Sequence, residues 1–146
     1  MIRKQKKYTD TRNNLTIHTT NLSPYIKFGL VSIREVYHRI KQLFGQSHDL
    51  IKQLYWREFY TIICYFKPEI FYGKSLKEKY DRIQWHMNKK HFDLWCRGST
   101  GFPIVDARMR EHNMTGNMHN LTRLIVSNFL VKLLHIDWRE GECYFA

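Results

Sequence analysis

The sequence predicts an all-α fold, and three observations carry that prediction. Apolar residues recur at i, i+3, i+4 and i+7 in several stretches, the spacing of a helix face. Gly45, Pro68, Pro103 and Gly116 punctuate those stretches where helices would stop or start. No segment alternates apolar and polar residues as a half-buried strand does, and there is no internal repeat or low-complexity tract.

Residues 1–22 are polar and lack helical period. Asn13-Asn14 and Thr19-Thr20-Asn21 mark loop. Residues 1–7, with the basic run Arg3 to Lys7, read as a disordered basic tail; a nuclear signal or a phosphate-seeking arm is the functional alternative. Ser32-Ile33-Arg34-Glu35 fits a capping box and opens a helix to Phe44, with Ile33, Val36, Tyr37, Ile40, Leu43 and Phe44 at helical spacing. Gly45 stops it. A second helix runs from Ser47–Asp49 to Phe66, before Pro68. One of its faces carries Ile51, Leu54, Tyr55, Ile62 and Phe66. Another carries Gln53, Trp56, Arg57 and Tyr60, a mixture of amide, indole, guanidinium and phenol that is not ordinary core. The segment 74–90 is charged and reads as surface helix plus loop. Pro103 opens a helix that Thr115-Gly116 closes. A last helix spans Asn117 to Leu134 and is apolar on most sides from Leu121 onward, which predicts a central position.

A chain of 146 residues suits one domain, and at this size roughly two-thirds of the unfolded surface can be buried. Lys and Arg number 24 and Asp and Glu 13, a net charge of +11 that points to a polyanion, nucleic acid being the simplest. Cys64, Cys96 and Cys143 are odd in number and lack metal-site spacing, so they read as free thiols in a reducing compartment. No apolar run follows the basic start, and none approaches the ~18 residues of a membrane span, so the expected location is intracellular, not secreted and not in a membrane. The eight histidines form no His-Glu-x-x-His pattern and no metal is expected; nor is there a Gly-rich phosphate loop or a recognisable nucleophile–base set.

Several collinear segments resemble one family. Asn21-Leu22-Ser23-Pro24-Tyr25-Ile26-Lys27-Phe28-Gly29 is similar to the motif that opens the flavin domain of DNA photolyases and cryptochromes. Leu54-Tyr55-Trp56-Arg57-Glu58-Phe59-Tyr60 resembles the family's Trp-Arg-Glu-Phe helix. Thr100-Gly101-Phe102-Pro103-Ile104-Val105-Asp106-Ala107 resembles its Thr-Gly-aromatic-Pro-Ile-Val-Asp-Ala segment. Thr115-Gly116 through Met118-His119-Asn120 and Ile136-Asp137-Trp138-Arg139-Glu140-Gly141 match as well. The resemblance covers residues 8–146 and implies part of the helical FAD-binding domain. The α/β antenna domain and the carboxyl-terminal end of the helical domain would lie outside the chain. The family flips a dimerised pyrimidine out of DNA and splits it with an electron from light-excited reduced flavin.

By that resemblance, Tyr8, Thr19, Thr20, Asn21, Leu22 and Ser23 would cradle the FAD phosphates, and Arg57, Asn120 and Arg123 would contact the flavin. Arg12, Gln53, Trp56, Tyr60, Asn120 and Leu124 would face DNA or the lesion, with Trp56 as the flat wall for flipped bases. Asn120, Arg123 and Ser127 share a helical face. Trp85 and Trp138 align with the outer and middle members of the tryptophan chain that photoreduces the flavin; core packing is the structural alternative for each indole.

The sequence departs from the family pattern at several of these surfaces. Gln53 stands where enzymes for cyclobutane dimers carry Glu, although Met118-His119-Asn120 follows their pattern. Asn21 and Leu121 stand where the family has Arg, Asn117 where it has Trp, Leu124 where it has Met, and Leu50 where a flavin-side aromatic is common. Chain length is a further expectation: the family's flavin-ring Asp, the Asn beside N5 and the innermost tryptophan would lie past Ala146. Three readings follow: a photolyase-derived lyase with little repair activity alone, half of a split photolyase completed by a second chain, or a non-catalytic basic DNA-binding protein. A cryptochrome-like light sensor is a fourth.

Overall fold

Glycine, proline and the apolar periodicity set most helix ends in the computed structural model, which describes residues 2–145. Among these residues there are eight α-helices and no strand, as the all-α prediction requires: α1 (Tyr8–Thr11), α2 (Ser23–Lys27), α3 (Ile33–Phe44), α4 (Asp49–Phe66), α5 (Lys89–Arg97), α6 (Pro103–Thr115), α7 (Asn120–Asn128) and α8 (Trp138–Phe145). Short 3₁₀ turns lie at Ile2–Gln5, Pro68–Tyr72 and Glu78–Arg82, and a π-turn, Phe129–Leu133, continues α7. The chain folds as two compact units, Met1–Tyr72 and Gly73–Ala146, where the sequence alone suggests one domain.

In the first unit α3 and α4 form a hairpin. Val36 and Ile40 bury against Leu50 and Ile51, and Tyr8, Leu22, Ile26, Phe44 and Leu54 pack around them. At 1.5 Å per residue, α3 is about 18 Å long and α4 about 27 Å, so α3 can cover at most the first two-thirds of its partner, and Ile62 and Phe66 lie beyond it. The expected face of α4 is corrected in part: Tyr55 lies within the covered length, its ring 6.4 Å from that of Tyr37, yet stays exposed. Ile51 and Leu54 pack inward, whereas Tyr55, Ile62 and Phe66 are exposed. The capping box is not made either: Ser32 occupies the N-cap without a side-chain hydrogen bond. On α4 the cap is His48, whose Nδ1 accepts from the Leu50 N–H at 3.4 Å while its ring stacks on Phe44.

The basic start differs from the disordered tail expected for residues 1–7. Ile2–Gln5 is a 3₁₀ turn, and Gln5 is buried, donating from Nε2 to the His18 carbonyl at 3.0 Å. The polar residue that the composition reads as solvated is in fact a tie between two stretches of chain. Thr9 donates to Asp49 at 2.7 Å, fastening α1 to the start of α4.

The second unit is organised around Trp95 on α5, a helix that the sequence reading did not place. Its indole is fully buried among Val105, Met109, Met118, Val126, Phe129, Leu130 and Ile136. Its Nε1 donates to the Val126 carbonyl at 3.0 Å, just before the helix widens into the π-turn. The expected Asn117–Leu134 helix starts later, because His119 is the N-cap, accepting from the Leu121 N–H at 3.2 Å. It is also less central than predicted: Leu124 and Leu133 are exposed. Gly141 lets α8 lie directly on the π-turn, since a Cβ there would stand 2.6 Å from Leu130 Cδ2.

The Thr-Gly-Phe-Pro-Ile-Val-Asp segment builds a clamp at the head of α6. Asp106 is buried and accepts from the Thr100 N–H at 2.7 Å, the Thr100 hydroxyl at 2.6 Å and the Gly101 N–H at 2.9 Å. Burial works to raise its pKa, but the Thr100 hydroxyl and N–H, the Gly101 N–H and the Arg110 charge outweigh it and hold the carboxyl below its ordinary value. The clamp thus gives Thr100, Gly101 and Asp106 of this motif a structural role.

Candidate functional site

In the first unit the candidate residues occupy three places. The phosphate-cradle segment precedes and opens α2. Asn21 sits at φ +50°, a left-handed conformation that Asn tolerates better than most residues, and it turns the chain into Ser23. The Thr20 hydroxyl accepts from the Leu22 N–H at 3.4 Å. Among the described residues, the Thr19 and Ser23 hydroxyls have no protein partner. Tyr8 is half-buried on α1. Its pKa is raised, first by burial and also by Asp49, against the lowering effect of Arg12, so it stays a neutral hydrogen-bond donor. This donor set of hydroxyls and main-chain N–H groups, with no carboxylate in the turn, fits a diphosphate.

The second place is the Gln53–Tyr60 stripe of α4. Trp56 leaves 55 % of its surface exposed. Tyr60 stacks beside it, centroid to centroid 6.1 Å, and Phe59 meets it edge-on at 5.6 Å. Gln53 is half-buried, one turn earlier on the same side. The sequence reading missed Phe59 as a brace; its position three residues after Trp56 is the signal that would have found it. Arg57 is not a free fork, because Nη1 donates to Glu58 at 2.9 Å. Arg12, the third place, is exposed at the end of α1.

In the second unit Asn120 and Arg123 stand on the exposed first turn of α7, with Leu124 beside them. The Arg123 guanidinium lies 6.0 Å over the Phe145 ring. His112, which packs edge-on against Phe145 at 5.2 Å, has its pKa lowered by burial and then by the Arg123 charge. Trp85 and Trp138 are brought together with Ser75, Leu76, Tyr80, Ile83 and Val131 around one open apolar cavity of about 350 Å³. Trp85 meets His135 edge-on at 5.4 Å, and its Nε1 is buried without a partner. Cys96 is pushed up to about 11 by burial and by Asp93, so it is no thiolate nucleophile. Among the described residues no three His, Cys, Asp or Glu side chains gather as metal ligands, and no helix is long and apolar enough to cross a membrane.

The sequence model of the family described as the FAD binding domain of DNA photolyase matches residues 50–146. The chain belongs to this family. Within it, the chain is 43% identical over 133 residues to the deoxyribodipyrimidine photo-lyase of Vibrio cholerae, covering 87% of this chain and 28% of the relative. It is 42% identical over 133 residues to that of Escherichia coli, with the same coverage. Among solved structures, an archaeal photolyase from Sulfolobus tokodaii, crystallised with two FAD molecules, superposes with a TM-score of 0.87 at 38% identity, over 98% of this chain and 34% of that one. A Synechocystis cryptochrome gives a TM-score of 0.85 at 35% identity, over 96% of this chain and 30% of that one. The chain thus spans between 28% and 34% of the length of these photolyase-family relatives.

Proposed function

We propose that this photolyase-family chain binds FAD and damaged DNA, and that its chemistry is the light-driven splitting of cyclobutane pyrimidine dimers. One observation supports the reading above the others. Trp56 stands more than half exposed on α4, braced by Tyr60 and Phe59, with the Gln53 amide on the same stripe. Burial within the chain does not explain an indole held in this way. A flat apolar wall beside an amide suits a flipped base, which stacks on the ring and hydrogen-bonds through its edge.

Bound FAD, reduced and excited by light, would supply the electron that opens the dimer. The chain's own residues bind and orient. Thr19, Thr20, Asn21, Leu22 and Ser23, with the neutral Tyr8 hydroxyl, offer donors to the diphosphate. Arg123 offers a guanidinium fork, Arg57 the guanidinium N–H groups that Glu58 does not engage, and Asn120 an amide. Arg12 contacts a DNA phosphate. Trp85 and Trp138 act as electron-relay stations. Residues 8–146 make up the FAD-binding helical segment.

Repair by this chain alone is weak in this reading. Gln53 cannot hold a carboxylate charge near the lesion, Leu121 cannot contact a phosphate, and the Arg57 fork already holds Glu58. The test is FAD titration of the purified chain by fluorescence, followed by illumination with a dimer-containing oligonucleotide. Sub-stoichiometric flavin and slow splitting are expected. Stoichiometric flavin with full light-dependent splitting would overturn the weakness. Absence of both flavin binding and DNA binding would overturn the whole reading.

The net charge of +11 favours a second reading, a basic DNA-binding protein that needs neither light nor flavin. It predicts salt-sensitive binding that is identical with and without FAD.

A further inference from the structure

Trp85 and Trp138 share a cavity, but their electrostatic surroundings differ. The guanidinium carbon of Arg139 lies 4.9 Å from the centroid of the Trp138 ring. The charge is fixed there by three anchors: Nε donates to the Gly73 carbonyl, Nη2 to Asp81, and Nη1 to Asp137 at 3.0 Å. Asp81 is itself held by the Ser75 hydroxyl at 2.8 Å and the Ser75 N–H at 3.2 Å. Trp85 has no cation over its ring among the described residues. Its aromatic neighbour is the edge-on His135.

We propose that Arg139 is a positioning residue of the relay, whose fixed charge makes Trp138 harder to oxidise, so that a positive hole reaching Trp138 moves on to Trp85. The proposal rests on the relay reading given above. A neutral indole attracts a cation through its ring quadrupole. Once the indole has lost an electron, the same contact sets two positive charges against each other. Among the described residues only Trp138 has a cation stacked on its ring in this relay pair, so the penalty falls chiefly there. Trp138 gives one electron to an oxidant and becomes a radical cation. Trp85 then gives one electron to Trp138, which returns to neutral, and Trp85 is left as the radical cation. No bond breaks in that exchange. Asp81 and Asp137 lie on the guanidinium and moderate its field, so removing either carboxylate strengthens the effect.

The experiment needs no flavin. A photoexcited ruthenium tris-bipyridine complex with persulfate oxidises the full chain, and transient absorption follows the indole radical against a redox mediator. Trp138 is read in a chain carrying W56F and W85F, and Trp85 in one carrying W56F and W138F; the fully buried Trp95 stays in both as a constant background. R139Q is expected to raise the equilibrium constant for Trp138 oxidation roughly tenfold and to leave Trp85 unchanged. D137N is expected to lower it. R139K, which keeps the charge, should retain most of the original value. If R139Q leaves Trp138 unchanged, moves both indoles equally, or is matched by R139K, the proposal is wrong. The relay itself is read separately. If W138F leaves the rate of Trp85 oxidation unaltered, the relay reading fails while the tuning of Trp138 by Arg139 is still measured.

Discussion

Replacing Asp106 with alanine should destabilise the second unit by about 3 kcal/mol, and the figure follows from the clamp at the head of α6. The carboxylate accepts three hydrogen bonds, at 2.7, 2.6 and 2.9 Å. A hydrogen bond to a charged group contributes about 1.5–3 kcal/mol. The Thr100 hydroxyl can turn to water when the carboxylate goes, which leaves two main-chain N–H groups as the chief loss. Relief of carboxylate desolvation offsets part of it. Asparagine keeps one acceptor oxygen but turns an NH₂ toward a donor, so D106N should cost about half as much. The sign with pH is fixed by the direction of the shift. The folded carboxyl titrates below its ordinary value, so its contribution is fully present above the unfolded pKa of about 3.9 and is lost as pH falls through the lower, folded value. Urea unfolding followed by tryptophan fluorescence reads both effects, because Trp95 is fully buried in the same core. The stability gap between the wild-type chain and D106N should be constant from pH 7 to about pH 5 and should close on further acidification. A cost for D106A under about 0.5 kcal/mol, or a gap that widens in acid, would refute the reasoning.

Two further predictions use different parts of the chain. Gly98 sits at φ +63°, and a Cβ there would stand 2.6 Å from the Asp106 carbonyl oxygen, so G98A should lose about 1–3 kcal/mol in the same urea assay. An unchanged midpoint would show that the α5–α6 connection has room to shift. W56A should leave the thermal midpoint within a degree or two, because the indole is exposed, yet weaken single-stranded DNA binding about ten- to a hundredfold in an anisotropy titration. The reverse pattern, lost stability with intact binding, would make Trp56 a structural residue.

Much of the fold was legible because its signals are local. The ends of α3, α4 and α6 follow from Gly45, Pro68, Pro103 and Gly116, whose backbone preferences act without neighbours. The Trp56–Arg57 stripe was legible for the same reason, since an indole, a guanidinium and an amide at helical spacing contradict a core face. The role of Arg139 was not, although it adjoins Trp138, because its anchors Gly73 and Asp81 lie more than fifty residues away. Asp106 was visible as part of a motif, but its meaning as a clamp needed Thr100 and Gly101 folded back onto it.

The sequence by itself determined the helical class, the ends of the punctuated helices and the residue types that carry the family resemblance. Each of these depends on backbone geometry and on spacing within one turn or two. Only the tertiary structure decided which apolar residues are core. It buried Trp95 completely and left Tyr55, Ile62 and Phe66 exposed, the last two because α3 is too short to reach the far end of α4. It also turned Gln5 from tail into tie, and among the described residues it set a cation on Trp138 and none on Trp85. Burial and charge placement depend on which distant segments meet, and periodicity along one helix does not contain that information.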